Sequence, residues 1–247
     1  MPDSFDSAAS RSTPTGDSAA AIPDAAAIDQ AATVAPNADT ASTRNPVFLV
    51  HGIIDRAYIF NSLRAFLERE GWTVYALDLI PNDGRARIEV LAQQLAAFID
   101  RQVGRDQPID VIGFSMGGLV SRYYVQRLGG LDRVDHFISI CAPNHGTHLA
   151  LLMPLFAGIR QMCPNSDFLN DLNRDAIDQL GQINYTSLWT PSDLMIIPAD
   201  SARMPIGRNL PIPAKMHAWT VSDARYHAEI AATLLDRVDP SSTVEQT

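Results

Sequence analysis

Ile109-Asp110-Val111-Ile112-Gly113-Phe114-Ser115-Met116-Gly117-Gly118 is the stretch whose reading decides the fold. Ile109–Phe114 has the apolar run of a strand buried on both faces. A turn with G-x-S-x-G spacing follows, and Gly117–Leu128 reads as a helix closed by Gly129-Gly130. The bare pentapeptide occurs by chance; between a buried strand and a helix it carries meaning. Glycines two before and two after the serine let neighbouring chain approach without a Cβ clash. The Ser115 hydroxyl is then expected above the sheet at a helix start, where the helix field favours negative charge. The competing reading is a glycine-rich turn with an incidental serine.

Working outward, Val47–Val50 is a second short, buried strand, and Ile59, Leu63, Phe66 and Leu67 follow with helical spacing up to Gly71. Thr73–Leu77 is β-rich. Ile88, Leu91, Leu95, Phe98 and Ile99 predict an amphipathic helix, and Val134–Ile140 another strand. Strands alternating with helices imply right-handed crossovers and a mostly parallel sheet with helices on both faces, an α/β fold. Later, Asn184–Trp189 and Leu210–Met216 are expected as strands, and Ser222–Val238 as a final helix with Ser222 near its N-cap. Residues 1–44 differ: they are rich in Ala, Ser, Asp and Thr, with Phe5 as their single aromatic residue. They are expected to be a disordered tail, with a frayed helix around Ala25–Ala32 as the alternative. The catalytic domain is expected over 45–238 and a flexible tail over 239–247.

Composition narrows the function. The chain has 247 residues, enough for one domain with tails, and a net charge of −9. That balance argues against a nucleic-acid partner or a polybasic membrane anchor, both of which need a positive field. Cys141 and Cys163 do not have zinc spacing and are expected as reduced thiols rather than a bridge. His145 and His148 resemble half a metal site, but no further ligand is spaced to complete it, so no metal or cofactor is expected. His136, in a strand-like run, carries no functional signal.

A reactive serine needs a base, an orienting acid and two N–H donors for the developing oxyanion. The elbow supplies one donor, the backbone N–H of Met116. His51-Gly52-Ile53 follows the first strand, and the N–H of Ile53 is the second candidate; His51 reads as a positioning residue. The chain order of such sites is Ser, acid, His. Asp193, in the turn after Asn184–Trp189, is the candidate acid, with Asp200 as its rival. His217, between the last strand and the last helix, is the candidate base. His227 lies within that helix, with Ile230 and Leu234 on its face, and reads as a packed residue.

On these residues the chain resembles the α/β-hydrolase superfamily. More narrowly, it resembles the bacterial triacylglycerol lipase/esterase group that includes the small class 2 lipases. The resemblance covers about Asn45 to Leu235. It is carried by Val47–Ile53, Val111–Val120, Ala142-Pro143-Asn144-His145-Gly146-Thr147, Thr190-Pro191-Ser192-Asp193, and His217 with the helix after it. It implies an α/β-hydrolase fold and a carboxylic ester hydrolase acting on lipid-type esters. By resemblance Ser115 is the nucleophile, Asp193 the acid, His217 the base, and Ile53 and Met116 the oxyanion donors, with no cofactor. An acyltransferase and a non-catalytic binding module are the alternatives on the same fold.

Residues 149–181 are the expected cap. The stretch Leu149–Leu155, with Phe156 and Met162, has two readings. Its apolar side lines an acyl pocket or transiently meets a lipid surface, or it packs against the core. Cys141 stands where a small residue is common in such lipases. The N-terminus lacks a basic region followed by an unbroken apolar core, so cytoplasmic residence is the default expectation and secretion the alternative. Nothing in the sequence sets the oligomeric state; a monomer fits.

Overall fold

The computed structural model describes residues 44–214 and 216–236. The tail expected over 1–44 (Arg44 apart), the helix expected around Ala25–Ala32, and the tail over 239–247 lie outside the described residues.

Six strands form one parallel sheet: β1 (Val47–Val50), β2 (Val74–Leu77), β3 (Ile109–Phe114), β4 (Val134–Ile140), β5 (Asn184–Trp189) and β6 (Arg208–Pro211). Their spatial order is β2-β1-β3-β4-β5-β6. The helices are α1 (Asn61–Arg69), α2 (Ile88–Gln102), α3 (Met116–Arg127), α4 (Ala157–Gln161), α5 (Asp167–Arg174), α6 (Ala176–Leu180) and α7 (Ala224–Leu235). The strand order reverses between β1 and β3. In open α/β sheets the carboxyl ends of the strands part at such a point and leave a crevice.

Both sheet faces are covered, which explains why the central strands are mostly apolar and buried. Phe48, Val50, Val111 and Phe137 join α2, α3 and α5 in one buried cluster. Leu49, Ile112, Ile138 and Leu188 join α1 and α7 in the other. All four residues of β1 are fully buried, and each such side chain contributes about 1.5–3 kcal/mol.

Two elements depart from expectation. The last strand is Arg208–Pro211 rather than Leu210–Met216. Pro211 and Pro213 have no N–H to offer the ladder, so pairing stops there. The final helix begins at Ala224, and its cap is Asp223, whose side chain accepts from the Arg225 N–H at 2.9 Å. Ser222 instead closes the 3-10 turn His217–Ser222 by donating to the Trp219 carbonyl. The segment 149–181 divides: Leu151 to Leu155 are exposed, while Ile159, Met162, Phe168, Leu169 and Leu172 are core.

Arg122, within α3, is fully buried without a carboxylate bonded to it. Its guanidinium donates to the Leu172 carbonyl (3.1 Å), Asn173 Oδ1 (3.0 Å) and Asn144 Oδ1 (3.3 Å). The Leu172 carbonyl belongs to the last turn of α5, where unpaired carbonyls favour a cation. Burial lowers its pKa to about 10, which leaves it charged at neutral pH. It fastens α3 to α5 and to the loop after β4.

Candidate active site

Three loops at the carboxyl ends of the strands converge on Ser115. The serine links β3 to α3 with φ 54° and ψ −124°, a left-handed conformation that costs a non-glycine residue about 1–3 kcal/mol. The surrounding packing enforces it. A Cβ on Gly113 would stand 2.6 Å from the Gly117 carbonyl oxygen, and one on Gly117 would stand 2.2 Å from that of Val50. The Ser115 N–H is anchored to the Ile140 carbonyl at 2.8 Å. Met116 opens α3, so its N–H has no acceptor within the helix.

The loop after β1 packs against this turn. A Cβ on Gly52 would lie 3.0 Å from Ser115 Cβ, so position 52 admits no side chain without a shift. His51 is fully buried beneath the loop. Its Nε2 accepts from the Leu79 N–H at 2.8 Å, which leaves the proton on Nδ1 to be donated to the Gly52 carbonyl at 2.7 Å. Burial lowers its pKa, against the raising effect of the Gly52 bond, in keeping with a neutral ring. Asn82 fixes the rest of the loop: its carbonyl accepts from the Ile54 N–H (2.7 Å) and its amide donates to the Asp55 carbonyl (2.5 Å). Ile53 is half-buried here, against Gly84.

Asp193 and His217 are in direct contact. His217 Nδ1 donates to Asp193 Oδ2 at 2.7 Å. Asp193 Oδ1 accepts from the N–H groups of Met195 (2.8 Å) and Ile196 (3.0 Å), a turn closed by its own side chain. Burial pushes the Asp193 carboxyl up, but the His217 bond and charge and the two amides outweigh it and hold it below its ordinary range. Thr190 ties the two loops together, donating to the Ala214 carbonyl (3.1 Å) and accepting from its N–H (3.0 Å). Thr147, from the turn after β4, donates to the Met195 carbonyl at 2.8 Å and steadies the acid's loop.

The other imidazole nitrogen, Nε2, is buried and has no hydrogen-bond partner among the described residues. The ring rests 4.8 Å from that of Phe114, the neighbour of Ser115. No hydrogen bond joins Ser115 to His217 in this geometry. The rivals stand apart: Asp200 is exposed in the 3-10 turn Ala199–Ala202, and His227 Nε2 donates to the Val221 carbonyl at 2.9 Å.

Two residues here were not singled out by sequence reasoning as site residues. Cys141 follows β4 with φ 47° and is fully buried. Its sulfur, the Asp193 carboxylate and a His217 ring nitrogen all lie within 4.8 Å of one another, the metal-donor type of cluster found among the described residues. Burial together with the nearby Asp193 charge pushes its thiol pKa up. Both cysteines are free. The second residue is Asp55, whose carboxylate approaches Gly52 beside the nucleophile candidate. Its signal was its place four residues beyond His51.

The parallel sheet and the strained strand–serine–helix turn define an α/β-hydrolase. A family model described as palmitoyl protein thioesterase matches residues 46–182, more than half the chain, and the chain belongs to that family. A triacylglycerol lipase of Pseudomonas fragi is 33% identical over 118 residues, covering 45% of this chain and 39% of the relative. The human lysosomal thioesterase PPT2 is 33% identical over 109 residues, covering 42% of this chain and 35% of the relative. These matches therefore span less than two-fifths of either relative. Among solved structures, Aspergillus fumigatus lipase B superposes with a TM-score of 0.68 at 19% identity, covering 84% of this chain and 57% of that one. The mature form of Bacillus licheniformis lipase BlEst2 gives 0.64 at 16% identity, covering 80% and 95%. Both likenesses concern the fold. Among the described residues no helix is long and apolar enough to cross a membrane.

Proposed function

We propose that the chain is a serine hydrolase of lipid-type carboxylic esters, with Ser115 as nucleophile, His217 as base and Asp193 as the orienting acid. The observation that carries the reading is the buried, unpartnered His217 Nε2, opposite an Nδ1 bonded to Asp193. A carboxylate on Nδ1 fixes the proton there and leaves Nε2 with a free lone pair. A buried polar atom without a partner costs about 1–3 kcal/mol, and a basic nitrogen on a ring packed against Phe114, the residue before the strained serine, gives that cost a purpose. A Ser115–His217 hydrogen bond, not formed in this geometry, is expected to form when substrate binds. The names of the two relatives, a lipase and a thioesterase, support acyl transfer from a lipid-type ester or thioester.

Ser115 Oγ attacks the acyl carbon as His217 Nε2 takes its proton. The Ile53 and Met116 N–H groups hold the oxyanion, each such donor contributing on the order of 3 kcal/mol. Collapse breaks the bond to the leaving alcohol or thiol, which takes the proton from His217. Water then attacks the acyl-serine, again through His217, and releases the acid. Asp193 stabilises the imidazolium at both stages. No step needs a cofactor. The exposed Leu151, Leu152, Met153 and Leu155 offer a surface for transient contact with lipid, and a monomer carries every group named.

The test is labelling of folded protein with a fluorophosphonate probe, followed by release of acid from p-nitrophenyl butyrate. Wild type is expected to label at Ser115, and Ser115→Ala to lose both label and turnover. An unlabelled, folded wild type would make the chain a binding module. Acyl transfer to an added alcohol in preference to water would make it an acyltransferase.

A further inference from the structure

Asp55 has an environment that the proposed mechanism does not use. Its Oδ2 is 3.2 Å from the point where a Cβ on Gly52 would stand, and Ser115 Cβ is 3.0 Å from the same point. The carboxylate and the candidate nucleophile thus both pack against Gly52. Its field reaches both His51 and His217, and burial raises its pKa.

No hydrogen bond or ion pair reaches this carboxylate among the described residues. Local donors are already engaged. Arg56 pairs with Asp78 (3.5 Å), Arg85 with Asp83 (2.6 Å) and Arg87 with Glu89 (2.6 Å). His51 has both nitrogens occupied within the loop. Turn aspartates elsewhere in the chain accept from backbone N–H groups two residues on, as Asp83, Asp193 and Asp223 do. Asp55 does not, because the N–H two residues on, that of Ala57, is already donated to Asp78 Oδ1 at 2.7 Å. The result is a half-buried acceptor beside Gly52, with the candidate nucleophile on the same glycine.

We propose that Asp55 is a substrate-binding residue that accepts a hydrogen bond from a hydroxyl carried next to the scissile ester. This inference rests on the hydrolase reading above. It makes the substrate class partial esters of polyols rather than fully esterified ones. A hydroxyl fits better than an ammonium group. Ile54 and Leu194, next in sequence to Asp55 and Asp193, are apolar and largely exposed. Drawing a cation into such a place carries a heavy desolvation cost, and a hydroxyl loses far less. The apolar rim takes the acyl chain, and Asp55 reads the polar end.

The experiment compares glycerol monobutyrate, which has two free hydroxyls, with tributyrin, which has none, each kept below its solubility limit. In wild type the ratio of kcat/KM is expected to favour the monoester. In Asp55→Ala that ratio should fall at least tenfold, mainly through KM for the monoester. Asp55→Asn keeps an acceptor oxygen and should restore part of the preference; it also serves if the alanine variant folds poorly. Equal losses on both substrates, with the ratio unmoved, would overturn the proposal and leave Asp55 a structural or electrostatic support. Absence of fluorophosphonate labelling in wild type is a separate outcome, which removes the hydrolase reading itself.

Discussion

At the carboxyl ends of the strands Asp193 holds His217; towards the amino ends Asp110 holds His136. Both pairs are buried, and each joins a carboxylate to Nδ1, at 2.7 Å in the first and 3.0 Å in the second. They differ at the other nitrogen. His136 Nε2 donates to the Asp236 carbonyl at 3.3 Å, just past the end of α7. With an acceptor on each nitrogen and a helix carboxyl end beside it, that ring is suited to be a cation. Burial works to lower the His136 pKa, but the Asp110 bond and charge outweigh it and raise it. His217 has one acceptor only, so its second nitrogen keeps a lone pair. What makes an Asp–His pair chemically useful is therefore the vacancy on the far side of the ring.

Removing each histidine tests this contrast most severely. His217→Ala is expected to cut kcat/KM on p-nitrophenyl butyrate by about 10⁴-fold, the scale on which such units fail together. His136→Gln should leave kcat/KM within about threefold. Its effect should appear in urea melts as a loss of about 1–3 kcal/mol, because a buried bond is broken while Asp110 keeps donors from the His136 backbone N–H and Asn45. Near-full activity in His217→Ala would break the comparison and return the base to an open question.

A smaller effect concerns pH. A histidine whose folded pKa is raised contributes stability that is fully present below its unfolded value, about 6.5. That contribution is lost as pH rises through the folded value. The stability gap between wild type and His136→Gln should therefore be larger at pH 5.5 than at pH 8.5, by equilibrium unfolding at both. A gap that widens with pH would mean that the ring is buried neutral.

The same contrast separates what a sequence reveals from what it hides. β1 is legible as a continuous apolar run, and β3, β4 and β5 from β-branched and aromatic residues, although Asp110, His136, Thr186 and Ser187 stand among them. β6 is an edge strand of Arg, Asn, Leu and Pro, half-exposed, and no such run marks it. Ser115 is legible because a strained turn demands glycines at fixed spacing. Asp193 and His217 could be named from chain order, since each follows a strand. The link between Asp110 and His136 pairs neighbouring strands, and nothing local announces it. Asp55 and Cys141 act through space, and Cys141 has φ 47° where glycine or asparagine would be the usual choice.

Cys141 gives the finest test of how Asp193 is held. The acid accepts from two backbone amides and from His217, and the buried Cys141 sulfur lies within 4.8 Å of it. A thiol is a weak donor, so its removal should cost about 1 kcal/mol, roughly fivefold in rate. Cys141→Ala is expected to lower kcat by about that factor with KM unchanged, because the sulfur lies beside the acid and not the substrate. Cys141→Ser replaces the donor and should recover most of kcat. The native thiol, protonated and enclosed, should resist a disulfide reagent until the chain is unfolded in urea. A kcat unchanged in Cys141→Ala would show that the amides and the imidazole suffice to hold the carboxylate. The left-handed cysteine would then be a packing solution, with no part in orienting the acid.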